Sequence, residues 1–309
     1  MTTDTATTAG MTAIHKTLVV DTAFGSTVGV VGCDPVVESD SRGHVERLMP
    51  DIIAALAAAG LDVDDVSRIV VGVGPAPYTG LRVGIVTAKA LAYATGAEIA
   101  AIDDLTPQSL LTRCLLRGDP RLPSINVRVR AGAGAGVGVV AGTGAERETD
   151  SRGCAHLTVA VNDARRRQLY FLLMDENGNP VSDGRALPRV RSSEAMGIDY
   201  PDAIVERINR EVETLRAGTG RDYAVDVAGR GAARYDGVWD GLRSPGLVTD
   251  AMLLDAGGVG LELMEEAAVN RGRHDVIPVE PLYLRRPDVS VPRPLKQVLG
   301  SGPAKDVAR

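Results

Sequence analysis

Residues Thr17–Asp40 read TLVVDTAFGSTVGVVGCDPVVESD, and this stretch decides the fold. Thr17–Ala23 is an apolar run ending on Asp21, Thr22 and Ala23. Gly25-Ser26-Thr27 supplies a turn, and Val28–Gly32 and Val36–Asp40 predict two further strands. A helix then starts near His44. Val45, Leu48, Met49, Ile52, Ile53 and Leu56 fall at i, i+3, i+4, i+7, i+8 and i+11, one helical stripe, and Gly60 ends it. Arg68–Val73 reads as a buried strand, Thr79–Thr95 as a second helix and Glu98–Ile102 as a fifth strand.

Three consecutive strands followed by α-β-α-β is the order of a ribonuclease-H-like unit. The second half repeats it. Leu157–Asp163, Gln168–Met174 and a strand near Pro188–Val190 precede a helix at Asp202–Arg216, a strand at Asp222–Ala228 and a helix at Asp255–Asn270. Asp21 precedes Val28 by seven residues, and Asp163 precedes Tyr170 by seven. The expected fold is therefore α/β, with two ribonuclease-H-like lobes in the actin/Hsp70/sugar-kinase-like arrangement. The expected division is a disordered tail over 1–16, a first lobe over 17–106, and a second lobe over 107–289. The helix at 255–270 is expected to pack on the first lobe. Residues 131–144, AGAGAGVGVVAGTG, lack the side chains to offset ordering entropy, so 125–155 reads as a mobile insertion. Residues 290–309 read as a basic, partly disordered tail.

Composition excludes several classes. With 309 residues and 44% hydrophobic content the chain can bury a sizeable core. No apolar run reaches the roughly 18 residues of a membrane span. The net charge of −6 argues against a dedicated nucleic-acid coat. Cys33, Cys114 and Cys154 form no CxxC pair and read as free thiols in a reducing cytoplasm. The N-terminus lacks the basic start and apolar core of a signal peptide, so a cytoplasmic location is expected.

The chemistry concentrates in Val73–Lys89, VGPAPYTGLRVGIVTAK. Gly74, Pro75 and Pro77 make a rigid loop, with Thr79 placed to cap the next helix. Such a helix start, with Arg82 one turn in, could hold an anion; equally it could be only a capped β-to-α turn. Gly84, Ala88 and Ala92 leave a shallow helix face, suited either to the chain's own sheet or to a partner helix.

These segments resemble the TsaB (YeaZ) family: LVVDTA, HVERLMPDIIAALAAAGL, VGVGPAPYTGLRVGIVTAKALA, VNDARRRQLYF and PLYLRRPDV. The family's GPGSFTGLR motif stands here as Gly74-Pro75-Ala76-Pro77-Tyr78-Thr79-Gly80-Leu81-Arg82, with Ala76, Pro77 and Tyr78 departing from it. The resemblance implies a non-catalytic scaffold or activator that binds a TsaD-type catalytic paralogue. That assembly forms N6-threonylcarbamoyladenosine on tRNA next to the anticodon, also engages a TsaE-type ATPase, and on this reading contacts tRNA only through partners. The implied partner surface is the two first-lobe helices, here Val45, Leu48, Met49, Ile52, Ile53, Leu56, Leu81, Arg82, Ile85, Ala88 and Lys89. The same helices could form a homodimer in isolation. No cofactor is implied, although a nucleotide at a partner interface is conceivable.

The alternative is an ATP-dependent phosphotransferase or ATPase of the same fold. Asp21 stands where a first-strand carboxylate would be, but Phe24 is bulky where backbone should approach phosphate. Asp255-Ala256-Gly257-Gly258 resembles an adenosine loop, or else an Asp N-cap before a glycine-weakened helix. His15, His44, His156 and His274 are too scattered for the helical His-x-x-x-His metal pair of the catalytic paralogue, and no metal site is expected. Arg165-Arg166-Arg167 reads as a charged turn or an RNA phosphate contact.

Overall fold

The computed structural model describes residues 16–39, 44–76, 78–122, 130–131, 154–188, 190–269 and 277–285. The first lobe runs β1 (Thr17–Asp21), β2 (Ser26–Val30), β3 (Val36–Glu38), α1 (His44–Ala58), β4 (Arg68–Gly72), α2 (Tyr78–Thr95), β5 (Glu98–Ile102) and α3 (Leu105–Arg117). Its sheet has the order β3-β2-β1-β4-β5, with β2 antiparallel to β1 and β3, and β1, β4 and β5 parallel.

The remainder runs β6 (Arg130–Ala131), β7 (Ala155–Asp163), β8 (Leu169–Met174), a hairpin of β9 (Val181–Ser182) and β10 (Arg185–Ala186), α4 (Ser192–Ala195), β11 (Gly197–Asp199), α5 (Pro201–Thr219), β12 (Tyr223–Ala228), β13 (Pro245–Thr249) and α6 (Gly258–Val269). Its sheet has the order β11-β8-β7-β12-β13-β6, the first five repeating the senses of the first sheet. The two lobes are therefore copies of one ribonuclease-H-like plan. The seven-residue echo in the sequence is its first hairpin: Val20 faces Val28, and Asn162 faces Tyr170.

Both sheets are buried on two faces. On β1, Leu18 and Val20 join Leu48, Ile52 and Leu56 of α1 and Ile85 and Ala88 of α2, while Val19 turns the other way to meet Leu261 and Met264 of α6. Helix α6 thus lies on the first lobe's sheet. Helix α3 does the converse, packing on β7 and touching α6. Leu111 and Leu115 of α3 share a cluster with Leu247 of β13 and Leu263 of α6. Each lobe's closing helix is thereby covered by the other lobe.

Several boundaries differ from the sequence expectation. The strand expected near Pro188–Val190 is replaced by the β9–β10 hairpin and a turn closed by Val190 N to Leu187 O, and the third strand of the sheet is β11. Asp255 accepts the Met252 amide at 2.8 Å and caps a short 3-10 turn, Leu253–Ala256; α6 begins after it, at Gly258. Helix α2 starts at Tyr78, so Thr79 lies inside it instead of capping it. Within the expected 125–155 insertion, Arg130–Ala131 pair with β13 and Ala155 opens β7. Residues 132–153, 1–15 and 286–309 lie outside the described residues, as do the expectations that fall on them. Helix α3 is not announced by the sequence, because Gln108, Ser109 and Thr112 on its buried face dilute the apolar stripe. Those groups are paired: Gln108 Nε2 donates to Ala251 O at 2.7 Å, Thr112 Oγ1 to Gln108 O at 2.9 Å, and Ser109 bonds Thr158.

The small-residue stripe of α2 faces its own sheet. Gly84 is buried, and a Cβ there would overlap Thr22, whose Oγ1 donates to Gly80 O at 2.9 Å. Gly84→Val is expected to cost about 1–3 kcal/mol by forcing α2 off β1. Urea unfolding followed by circular dichroism checks it; an unchanged midpoint would show that the contact can yield.

Candidate functional site

Helices α1 and α2 lie side by side on the outer face of the first sheet. Burial divides the expected partner-surface residues into two sets. Leu48, Ile52 and Leu56 on α1, and Leu81, Ile85 and Ala88 on α2, point into the core and cannot touch a partner without the helices leaving their sheet. Met49 is 43% exposed and Ile53 62%, and Arg82 and Lys89 are exposed on α2. The side chains of Val45 and Tyr78 lie outside the described residues.

The exposed face also holds residues that the sequence reading missed. Val86 is 65% exposed and Tyr93 93%. Arg82, Val86, Lys89 and Tyr93 fall at i, i+4, i+7 and i+11, one stripe on the solvent side of α2. The signal was present in that spacing, but the stronger inward stripe masks it. Met49 and Ile53 on α1 and Val86 and Tyr93 on α2 are thus exposed apolar side chains on adjacent helices, with Arg82 and Lys89 in the same stripe of α2.

The motif loop sits at one end of this face. Gly74 has φ +95°, a left-handed conformation open to glycine at low cost, and its carbonyl accepts the Asp104 amide at 2.9 Å. Gly74 and Pro75 are buried, Gly80 is half-buried and Thr79 exposed. The segment 277–285 closes over the loop: Leu282 N donates to Val73 O at 2.8 Å, and Arg82 Nε donates to the Tyr283 hydroxyl at 2.9 Å. Arg285 continues that path to the second lobe, donating to Ala164 O at 2.7 Å and Gln168 Oε1 at 2.9 Å. This loop is a packed corner, and Arg82 is oriented by Tyr283.

A second feature is the cleft between the lobes, a cavity of about 40 Å³ lined by Asp21, Phe24, Asp104, Gln108, Asn162 and residues flanking the start of α6. Nucleotide-sized ligands occupy pockets of about 300–1,000 Å³. Phe24 helps wall the cavity, and the Arg230 guanidinium lies 5.1 Å from its ring centre. Asp103, next to the cleft, is committed to α3: its carboxylate accepts the Leu105 and Thr106 amides at 3.0 and 2.7 Å and the Ser192 hydroxyl at 2.8 Å. Burial pushes the Asp104 carboxyl well above the usual range, reinforced by the Asp21 and Asp103 charges, with the Gly74 amide pulling the other way. Burial raises Asp21 as well, against the Ala23 and Thr22 amides. Among the described residues no three His, Cys, Asp or Glu side chains gather as a metal cluster. Arg165, Arg166 and Arg167 form the β7–β8 turn, all at positive φ, with Asp163 accepting the Arg165 amide at 2.8 Å and Arg234 at 2.7 Å. No described helix is long and apolar enough to cross a membrane.

The raised Asp104 carboxyl has a definite sign. The folded state binds a proton more readily than the unfolded chain, so between the unfolded value near 3.8 and the higher folded value stability falls as pH rises. In a chelator, Asp104→Asn is expected to raise the melting temperature at pH 7, and the difference should vanish as pH falls to about 4. Melting curves across pH check this; an offset independent of pH would show that Asp104 carries no destabilising charge.

Residues 32–160 match the family model described as TsaD, tRNA N6-adenosine threonylcarbamoyltransferase. An uncharacterized protein of Mycobacterium tuberculosis is 39% identical over 99 residues, covering 30% of this chain and 47% of that one. The tRNA N6-adenosine threonylcarbamoyltransferase of Erythrobacter litoralis is 41% identical over 78 residues, covering 25% of this chain and 23% of the enzyme. The matched stretch thus spans about half the length of the mycobacterial relative and about a quarter of the enzyme. A Pseudomonas aeruginosa protein described as similar to the peptidase YeaZ aligns with a TM-score of 0.49 at 19% identity, covering 87% of this chain and 99% of that one. Over residues 32–160 the chain is thus similar to the TsaD family, and over a shorter stretch to the Erythrobacter threonylcarbamoyltransferase.

Proposed function

We propose that this chain is an accessory subunit of tRNA threonylcarbamoyladenosine synthesis that docks a TsaD-type catalytic paralogue through the outer face of α1 and α2. The observation that carries the reading is the exposure of Met49, Ile53, Val86 and Tyr93 on two adjacent helices. Side chains of this size leave water when a partner covers them, each contributing about 1.5–3 kcal/mol if fully buried. Arg82 and Lys89 at the edge of the face would set orientation and encounter rate more than affinity. The buried set, Leu48, Ile52, Leu56, Leu81, Ile85 and Ala88, holds the two helices at fixed spacing beneath that face.

The scaffold role is supported by the cleft, where an active phosphotransferase of this fold would hold its nucleotide. Phe24 and the small cavity leave little room there. The TsaE-type ATPase and the tRNA enter, on this reading, through the catalytic partner.

Ile53→Glu combined with Val86→Glu is expected to weaken co-purification with the paralogue at least tenfold while leaving the circular dichroism spectrum and melting temperature unchanged, since both positions are exposed. Mass measurement of the chain alone separates the homodimer: a dimer lost in the same variant would use the same face. Unchanged co-purification would contradict the docking assignment.

A further inference from the structure

The cleft between the lobes gathers buried oxygen acceptors that lack donors. Asp104, immediately before α3, is 6% exposed, and among the described residues neither of its carboxyl oxygens makes a hydrogen bond of ordinary geometry, although the Gly74 amide pulls on its charge. Asn162, near the end of β7, is 3% exposed, and its Oδ1 is likewise unpartnered. Both line the same cavity of about 40 Å³ as Asp21, at the end of β1. An unmade hydrogen bond on a buried polar group costs about 1–3 kcal/mol, more for a charged one, so three such atoms facing one small space call for a common partner.

Geometry brings the two carboxylates together. A Cβ built on Gly72 would lie 2.5 Å from Asp21 Oδ1 and 3.3 Å from Asp104 Oδ1. Those oxygens therefore lie within about 6 Å of each other, close enough for like charges to repel. The glycine leaves the space that both side chains use. Most of the rest of the wall offers little help: Phe24, Pro35, Leu253 and Leu261 are apolar, Gln108 spends its Nε2 on Ala251 O at 2.7 Å, and Thr27 contributes a single hydroxyl. Two carboxylates with an amide carbonyl oxygen are the donor set of a hard divalent cation, with water completing the shell. The space suits an ion with a water, since one water needs about 10–15 Å³ on this measure.

We propose that Asp21, Asp104 and the Asn162 amide oxygen hold one divalent cation, Mg²⁺ or Ca²⁺, that bridges the two lobes. Asp21 and Asp104 come from the first lobe's sheet and its exit, and Asn162 from the central strand of the second. The ion would offset the repulsion that the burial of two acids creates and would fix the angle between the lobes. This site is independent of the docking face on α1 and α2.

The test uses the full chain, stripped with EDTA and dialysed, then titrated calorimetrically with CaCl₂ or MgCl₂ at constant ionic strength, with melting curves in parallel. One ion per chain is expected, with a rise of several degrees in melting temperature; the ion bound more tightly, with the larger shift, is the resident one. Asp104→Asn should weaken binding at least tenfold. Asn162→Asp adds a third carboxylate and should tighten binding at least tenfold. A proton shared between Asp21 and Asp104 predicts the opposite pattern: no ion-dependent shift in the parent chain, and an Asn162→Asp variant that is destabilised with or without the ion. That pattern, or an ion affinity unchanged in both variants, would overturn the proposal.

Discussion

The exchange of helices between lobes is the constraint on which the rest of the structure depends. Each ribonuclease-H-like sheet has two apolar faces and carries its own helices on one of them. The opposite faces are covered by α3 and α6, each packed on the other lobe's sheet and on one another. Without that exchange Val19, Val70 and Ile102 on one sheet would face water, and so would Ala160 and Leu172 on the other. The lobes are therefore coupled through hydrophobic burial, and the cleft where Asp21, Asp104 and Asn162 meet follows from where the exchanged helices begin.

The same packing determines what is left for a partner. Because the inner faces of α1 and α2 are spent on the first sheet, only the outer stripe is available, and it is the stripe that carries Met49, Ile53, Val86 and Tyr93. Glycine at position 84 lets α2 sit low against β1, so the outer surfaces of the two helices form one face. Segment 277–285 orients Arg82 at one end of that face and ties it through Arg285 to the second lobe.

Much of this was legible in the sequence, for identifiable reasons. Strands β1 and β4 are largely buried and announce themselves as runs rich in β-branched residues. Helix α1 carries a strong stripe, and the β1–β2 and β7–β8 hairpins share one spacing because they are copies. Helix α3 was not legible, because its buried face is partly polar and its partners, Ala251 and Thr158, are distant in sequence. The third strand of the second sheet was misplaced because Gly197–Asp199 is too short to show alternation. Periodicity identified the helices of the proposed docking face but not which side is free. That side became visible only once the sheet beneath was in place. The unpartnered acceptors of the cleft come from the start of α3 and from β7, and Asp21 joins them from β1, so no local pattern could reveal the cluster.

The central claim is that this chain supports a catalytic partner in modifying tRNA. Its most direct test is reconstitution of threonylcarbamoyladenosine on an unmodified tRNA, with the TsaD-type paralogue, the ATPase subunit and a threonylcarbamoyl donor, in the presence and absence of this chain. The account predicts that modification depends on the chain and is lost when the outer face of α1 and α2 is disrupted. Equal modification without the chain would contradict it.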